Sequence, residues 1–150
     1  MPVNDPLLLD SQLCFPLYAA ARRVVGSYTP FLKPLGLTYT QYLVLLVLWE
    51  RDSLTVGEIG RRLRLDSGTL TPLLKKLQQQ GLICRTRAEE DERVVRVSLT
   101  GSGRALREKA EQVPAGVARC IPLAPEEALT LYSLLYRILD GMDEQEEITA

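Results

Sequence analysis

Cys14 lies within "LDSQLCFPLYAAARRV", near the start of an otherwise apolar stretch, and its thiol is either packing material or a working nucleophile. A thiol reacts as its thiolate, and an ordinary pKa of about 8.5 leaves only a small ionised fraction at neutral pH. The chain has no histidine. What remains to favour the anion is a helix N-terminus, hydrogen bonds from hydroxyls, or a guanidinium such as that of Arg22 or Arg23, while Asp10 would oppose ionisation if it lay close. The lack of histidine also excludes a His-based triad, and without paired cysteines there is no recognisable zinc site, so neither metal nor cofactor is expected. Three cysteines make no structural disulfide framework, and Cys84 in "LICRTR" reads as inward-facing packing.

The elements that must position these residues are mostly helical. With 150 residues, 46% of them hydrophobic, the chain has the size of one domain with a real core. No apolar run approaches the ~20 residues that span a bilayer, and "MPVNDPLLLD" lacks the basic region of a signal peptide, so a cytoplasmic location without a membrane partner is expected. Helical spacing from Leu9 to Val25 predicts a first helix, ending near Gly26, that either begins near Pro16 or is kinked there. "LGLTYTQYLVLLVLWE" predicts a central core helix entered through a capping box of Thr38 and Gln41. Thr55 and Glu58 repeat that box before a short helix carrying Val56, Ile59 and Leu63. Asp66 or Ser67 can cap the next helix, where Leu70, Leu73, Leu74 and Leu77 share a face, Gly81 suits the position after its end, and Pro72 leaves the start open.

A helix-turn-helix followed by two strand-like runs around "AEEDE" reads as a winged helix. Thr100 caps a further helix broken at Pro114, and the last helix has Pro125 at its opening, a stripe of Ala128, Leu131, Tyr132, Leu135, Ile138 and Leu139, and a frayed acidic tail "DEQEEITA". The fold class expected is mainly α with a small β-hairpin wing: one winged-helix domain over 1–150, homodimeric through helices at about 7–36 and 101–142, with the reading head at about 53–99.

Charge is segregated along the chain. Residues 51–107 carry twelve Lys or Arg against seven Asp or Glu, and the remainder six against twelve. A basic middle suits double-stranded DNA. Ser67, Thr69, Thr71, Lys75, Lys76 and Gln79 lie on the outer face of the second head helix, where hydroxyls and the helix N-terminus suit phosphates, and Thr and Gln also suit base edges. Arg85, Arg87 and above all Arg93 on the wing suit an adjacent minor groove, with Asp91 placed to pair with Arg93 and fix the tip. Two heads about 34 Å apart would match a pseudo-palindromic operator.

The element order, with "DSGTLTPLLKKLQQQGLI" and "EEDERVVRVSLT", resembles the MarR family of dimeric winged-helix repressors over nearly the whole chain. Within it, "QLCFPLY", "LTYTQYLVLLVLWE" and "LDSGTLTPLLKKL" are similar to the organic-hydroperoxide-resistance repressors, although Pro16 stands where a helix former is expected. The resemblance implies a regulator rather than an enzyme, with Cys14 as a thiol that senses organic hydroperoxide. It implies DNA binding when reduced and release when oxidised. Tyr28 and Tyr39 match positions whose hydroxyls hold the thiolate across the dimer, with Tyr18 as a further contact. Cys120 falls where two-cysteine members carry the residue that closes an intersubunit disulfide. Two rival readings remain: a repressor of the same family answering to a reversibly bound small ligand, and a thiol peroxidase, in which a basic reading head has no use.

Overall fold

The computed structural model describes residues 5–88, 91 and 93–149. They fall into two units, Met1–Ala118 and Arg119–Ala150. The first begins with a 3-10 turn, Leu9–Ser11, and then helix α1, Cys14–Ser27. The long helix expected from Leu9 is therefore divided. Pro16 explains the division, because its ring would meet the carbonyl of Gln12 if the helix continued upstream; Gln12 is instead extended, at φ −92° and ψ 119°. Within α1, Pro16 occupies the opening turn, where backbone N–H groups lack intrahelical acceptors anyway.

A short helix α2, Thr29–Leu32, leads through the 3-10 turn Lys33–Leu35 to α3, Tyr39–Glu50. Gly36 closes that turn at φ 70°, a left-handed conformation that glycine adopts without penalty. The expected capping box starts α3: the Thr38 N–H donates to Gln41 Oε1 at 2.9 Å, and the Gln41 N–H to Thr38 Oγ1 at 3.4 Å. Val44, Leu45 and Leu48 are almost wholly buried, so this helix forms the centre of the core.

The second capping box, Thr55 with Glu58, opens α4, Val56–Leu63. After a turn in which Arg64 takes φ 54°, α5 runs from Ser67 to Gln79. Asp66 is the cap, accepting the Thr69 N–H at 2.8 Å, and the helix continues through Pro72. Leu70, Leu74 and Leu77 are fully buried.

Strands β2, Ile83–Arg87, and β3, Val95–Leu99, make the wing hairpin. A third strand absent from the sequence reading, β1, Leu54–Thr55, adds to the other edge of β3 in the antiparallel order β1-β3-β2. The register pairs Ile83 with Leu99 and Arg85 with Val97, so Ile83, Val97 and Leu99 face the core. Cys84 consequently points outward and is exposed, contrary to the inward packing role read from the sequence. At the tip, the expected polar centre "AEEDE" is described only at Ala88 and Asp91; Glu89, Glu90 and Glu92 lie outside the described residues.

Thr100 caps α6, Gly101–Ala110, by accepting the Gly103 N–H at 3.0 Å. This helix ends before Pro114, which sits instead at the second position of a new helix, α7, Val113–Ala118. The second unit is dominated by α8, Pro125–Thr149, which opens at Pro125 as expected and continues helical through most of the acidic tail rather than fraying near 142. No single helix among the described residues is long and apolar enough to cross a membrane.

Candidate nucleic-acid interface and thiol site

The outer face of α5 presents Ser67, Thr69, Lys75, Lys76 and Gln79, all exposed, with Thr71 half-buried. Two of its hydroxyls donate within the helix itself: Thr69 Oγ1 to Asp66 Oδ2 at 3.0 Å and Thr71 Oγ1 to the Ser67 carbonyl at 2.7 Å. They are left as acceptors, suited to base amino groups or lysine more than to phosphate oxygens. Hydrogen bonds from the Thr69 N–H and hydroxyl hold the Asp66 carboxyl below its ordinary range, so it caps as an anion.

On the wing, Arg87 and Arg93 are exposed, and the Arg93 side chain is 91% accessible. The Asp91 carboxylate accepts the Arg93 backbone N–H at 3.0 Å and its Nε at 3.2 Å, and these bonds hold its pKa down. Arg85 is placed differently. It is half-buried and donates from Nε to Gln78 Oε1 at 2.6 Å, tying β2 to the end of α5.

One anchor of the head has no signature in the sequence pattern. Asp52 accepts the Leu99 N–H at 2.9 Å and Arg104 Nη2 at 2.7 Å, joining the approach to β1, the end of β3 and α6. Burial pushes the Asp52 pKa up, but the backbone N–H groups of Leu99 and Ser53 together with Arg104 outweigh it, and the net shift is downward. Arg96 adds a bond from Nη1 to the Ser53 carbonyl at 2.6 Å.

Cys14 is exposed in the first turn of α1, a helix with no buried residue. One turn on, Tyr18 shares its face, and Arg22 stacks on the Tyr18 ring at 5.5 Å from its centroid. Tyr28 and Tyr39 come together at the other end of α1, ring centroids 4.8 Å apart, with Tyr42 5.9 Å from Tyr28. Burial raises the pKa of Tyr28, and burial followed by the neighbouring Tyr28 raises that of Tyr39, so both phenols stay protonated donors. They line a cleft of about 490 Å³ with Val25, Leu32, Gly36 and Leu37. Within one chain this pair is remote from Cys14, because fourteen residues of helix at 1.5 Å each separate the ends by about 21 Å. Cys120, exposed, belongs to the second unit. Among the described residues no group of acidic or cysteine side chains is arranged to hold a metal ion.

A helix-turn-helix backed by a three-stranded wing, with its outer helix polar and its wing arginine-rich, defines a winged-helix transcriptional regulator. Residues 27–110 match the family described as transcriptional regulator SarA/Rot. The organic hydroperoxide resistance transcriptional regulator of Bacillus subtilis is 48% identical over 141 residues, 94% of this chain and 96% of that protein. Among solved structures, reduced AbfR bound to DNA is 39% identical with a TM-score of 0.74, covering 89% of this chain and 93% of that one. Disulfide-formed AbfR, a protein of Staphylococcus epidermidis, is 38% identical with a TM-score of 0.66, covering 89% and 91%. The chain belongs to the MarR family, among its organic hydroperoxide resistance regulators.

Proposed function

We propose that this protein is a homodimeric, cytoplasmic repressor that binds a pseudo-palindromic DNA operator when Cys14 is reduced and releases it when organic hydroperoxide oxidises that thiol. The observation that carries the reading is the position of Cys14, exposed in the opening turn of a helix with nothing buried. There the thiol is open to an incoming peroxide and stands at the N-terminal end of a helix, where a thiolate is favoured. In a dimer with the α1 helices antiparallel, Cys14 of one chain meets the Tyr28 and Tyr39 hydroxyls of the other, which a single chain cannot bring to it. Tyr18, on the face of Cys14, completes the donor set.

The Cys14 thiolate attacks the terminal peroxide oxygen; the O–O bond breaks, the alkoxide takes a proton and leaves as alcohol, and sulfur becomes sulfenic acid. The thiol of Cys120 from the partner subunit then attacks that sulfur, forming the disulfide and releasing water. The apolar surroundings, Phe15 and Leu17 among them, favour an alkyl peroxide over hydrogen peroxide. DNA is engaged through Ser67, Thr69, Thr71, Lys75, Lys76 and Gln79 of α5 and through Arg87 and Arg93 of the wing, with Arg85 acting at the wing's root and Asp91 holding Arg93. The similarity to AbfR, solved reduced on DNA and in a disulfide form, supports DNA binding by the reduced protein and a thiol chemistry that ends in a disulfide.

The test is intact and peptide mass spectrometry after one equivalent of cumene hydroperoxide, without reductant, beside Cys14→Ser and Cys120→Ser. An interchain Cys14–Cys120 crosslink, absent from both variants, is the expected result. Oxidation that ignores Cys14 overturns the reading, and a Cys14→Ser protein that still leaves DNA on addition of a phenolic compound establishes the ligand-responsive alternative.

A further inference from the structure

We propose that Gln80 is a positioning residue that ties the DNA-reading helix to the tyrosine cleft and passes the state of the cleft to the head; this rests on the redox reading above. Gln80 terminates α5, and its side-chain Nε2 reaches back to donate to the Gly36 carbonyl at 2.8 Å, across 44 positions of sequence. Gly36 is part of the cleft lining. It also closes the turn Lys33–Leu35 in the left-handed conformation, two residues before the Thr38 cap and three before Tyr39. A displacement of Tyr39 or of that turn therefore carries the Gly36 carbonyl with it, and glycine permits the backbone there to reorient without steric penalty.

The other end of this link is equally specific. At the last turn of α5, Gln78 accepts Arg85 Nε at 2.6 Å while Gln80 holds Gly36, so one side chain joins the helix to the wing and another joins it to the cleft. Neither glutamine is buried. The core grip on α5 comes from Leu70, Leu74 and Leu77, which move as a rigid body because close-packed interiors do not deform continuously. A shift imposed at the exposed end of such a helix reorients its whole outer face, including Lys75, Lys76 and Gln79. In reduced protein the core packing sets the DNA-reading arrangement of α5, and Gly36 rests against it through Gln80 without strain. Oxidation at the cleft draws both away.

The test uses the full-length protein and two variants. Gln80→Met removes the donor at nearly constant length, and Gln80→Lys restores a donor of similar reach. For each, Cys14 oxidation by cumene hydroperoxide is followed by mass spectrometry. DNA affinity is measured before and after oxidation on a duplex selected from random sequence by the reduced wild-type protein. Gln80→Met is expected to oxidise at Cys14 and, when reduced, to bind within about threefold of wild type. Its ratio of oxidised to reduced Kd falls by about tenfold or more, within the usual span of coupling between sites. Gln80→Lys regains most of the ratio, which a mere loss of helix stability would not allow. Gln80→Met that releases DNA as completely as wild type overturns the coupling and leaves the redox reading intact. Equal loss of affinity in both states makes Gln80 a DNA contact or a structural residue and also overturns it. Wild-type protein indifferent to Cys14 oxidation overturns the redox reading and this inference together.

Discussion

Residues of the same apolar kind are used to opposite ends in the reading head and in the helices α1 and α8. In the head, Ile59, Leu70, Leu74 and Leu77 are fully buried. On α1, Phe15, Leu17 and Tyr18 are 43%, 41% and 60% exposed, and on α8, Leu129, Leu131 and Tyr136 are 68%, 45% and 44% exposed. Full burial of one such side chain stabilises by roughly 1.5–3 kcal/mol, so the head is completed by its own sequence whereas these helices leave apolar surface that the proposed dimer would cover. A sensor gains from this division, because an interface between chains can rearrange while the head stays folded.

The contrast is broken most directly at Leu74 and Leu131. Leu74→Ala removes a fully buried side chain and is expected to lower stability by about 2–5 kcal/mol in urea unfolding, independent of protein concentration. Leu131→Glu acts on association instead. Its far-ultraviolet circular dichroism is expected to match wild type while sedimentation shows monomer, and DNA affinity falls by at least about tenfold because two linked heads become one. A Leu131→Glu dimer of undiminished affinity would move the interface off that face.

Arg93 sharpens the comparison within the head, between residues that hold it together and residues that use it. Its pair with Asp91 is too exposed and too well screened by water to hold the head together. Arg93→Ala is expected to leave the unfolding midpoint unchanged and to weaken DNA binding by about 1–3 kcal/mol, read by titration at fixed salt.

Asp52 is the opposite case. Asp52→Ala leaves the Leu99 N–H without its acceptor and is expected to cost on the order of 1–2 kcal/mol. Its folded pKa lies below the unfolded value near 3.8, so the contribution is complete above that pH and is lost as pH falls through the folded value. Unfolding at pH 6 and at pH 3 should therefore show the gap between wild type and Asp52→Ala narrowing in acid; a constant gap would mean that the carboxylate charge is not what matters.

What was legible in the sequence follows the range of the interaction. Both capping boxes are settled within four residues and could be read directly, and the cap of α5 was narrowed to Asp66 or Ser67 before the structure placed it at Asp66. Strand β1 could not, since Leu54 and Thr55 become a strand only by pairing with Val97 and Arg96. Asp52 was invisible for the same reason, its partners lying 47 and 52 positions away. Arg85 is another instance: an arginine beside a basic wing reads as a DNA contact until Gln78 is placed against it. The tyrosine pair came from family resemblance, and the separation of Cys14 from it came only from the course of α1.

Cys84 shows how a period-two pattern misleads when its phase is open. In "LICRTR" either Ile83 or its neighbours could face inward, and only the register that sets Ile83 against Leu99 decides for Ile83. Cys84 and Cys14 are thus both exposed thiols, which makes position the variable that separates them. Cys14 stands in a helix's opening turn, while Cys84 sits within a paired strand, its Sγ 3.7 Å from the Ser98 carbonyl. Cys84→Ser is expected to change stability by less than about 0.5 kcal/mol and to leave hydroperoxide-dependent DNA release unaltered, whereas Cys14→Ser abolishes release. Thiol titration and DNA anisotropy after one equivalent of hydroperoxide check both. If Cys84→Ser is the variant that stops responding, exposure on the wing governs sensing and the opening turn of α1 does not.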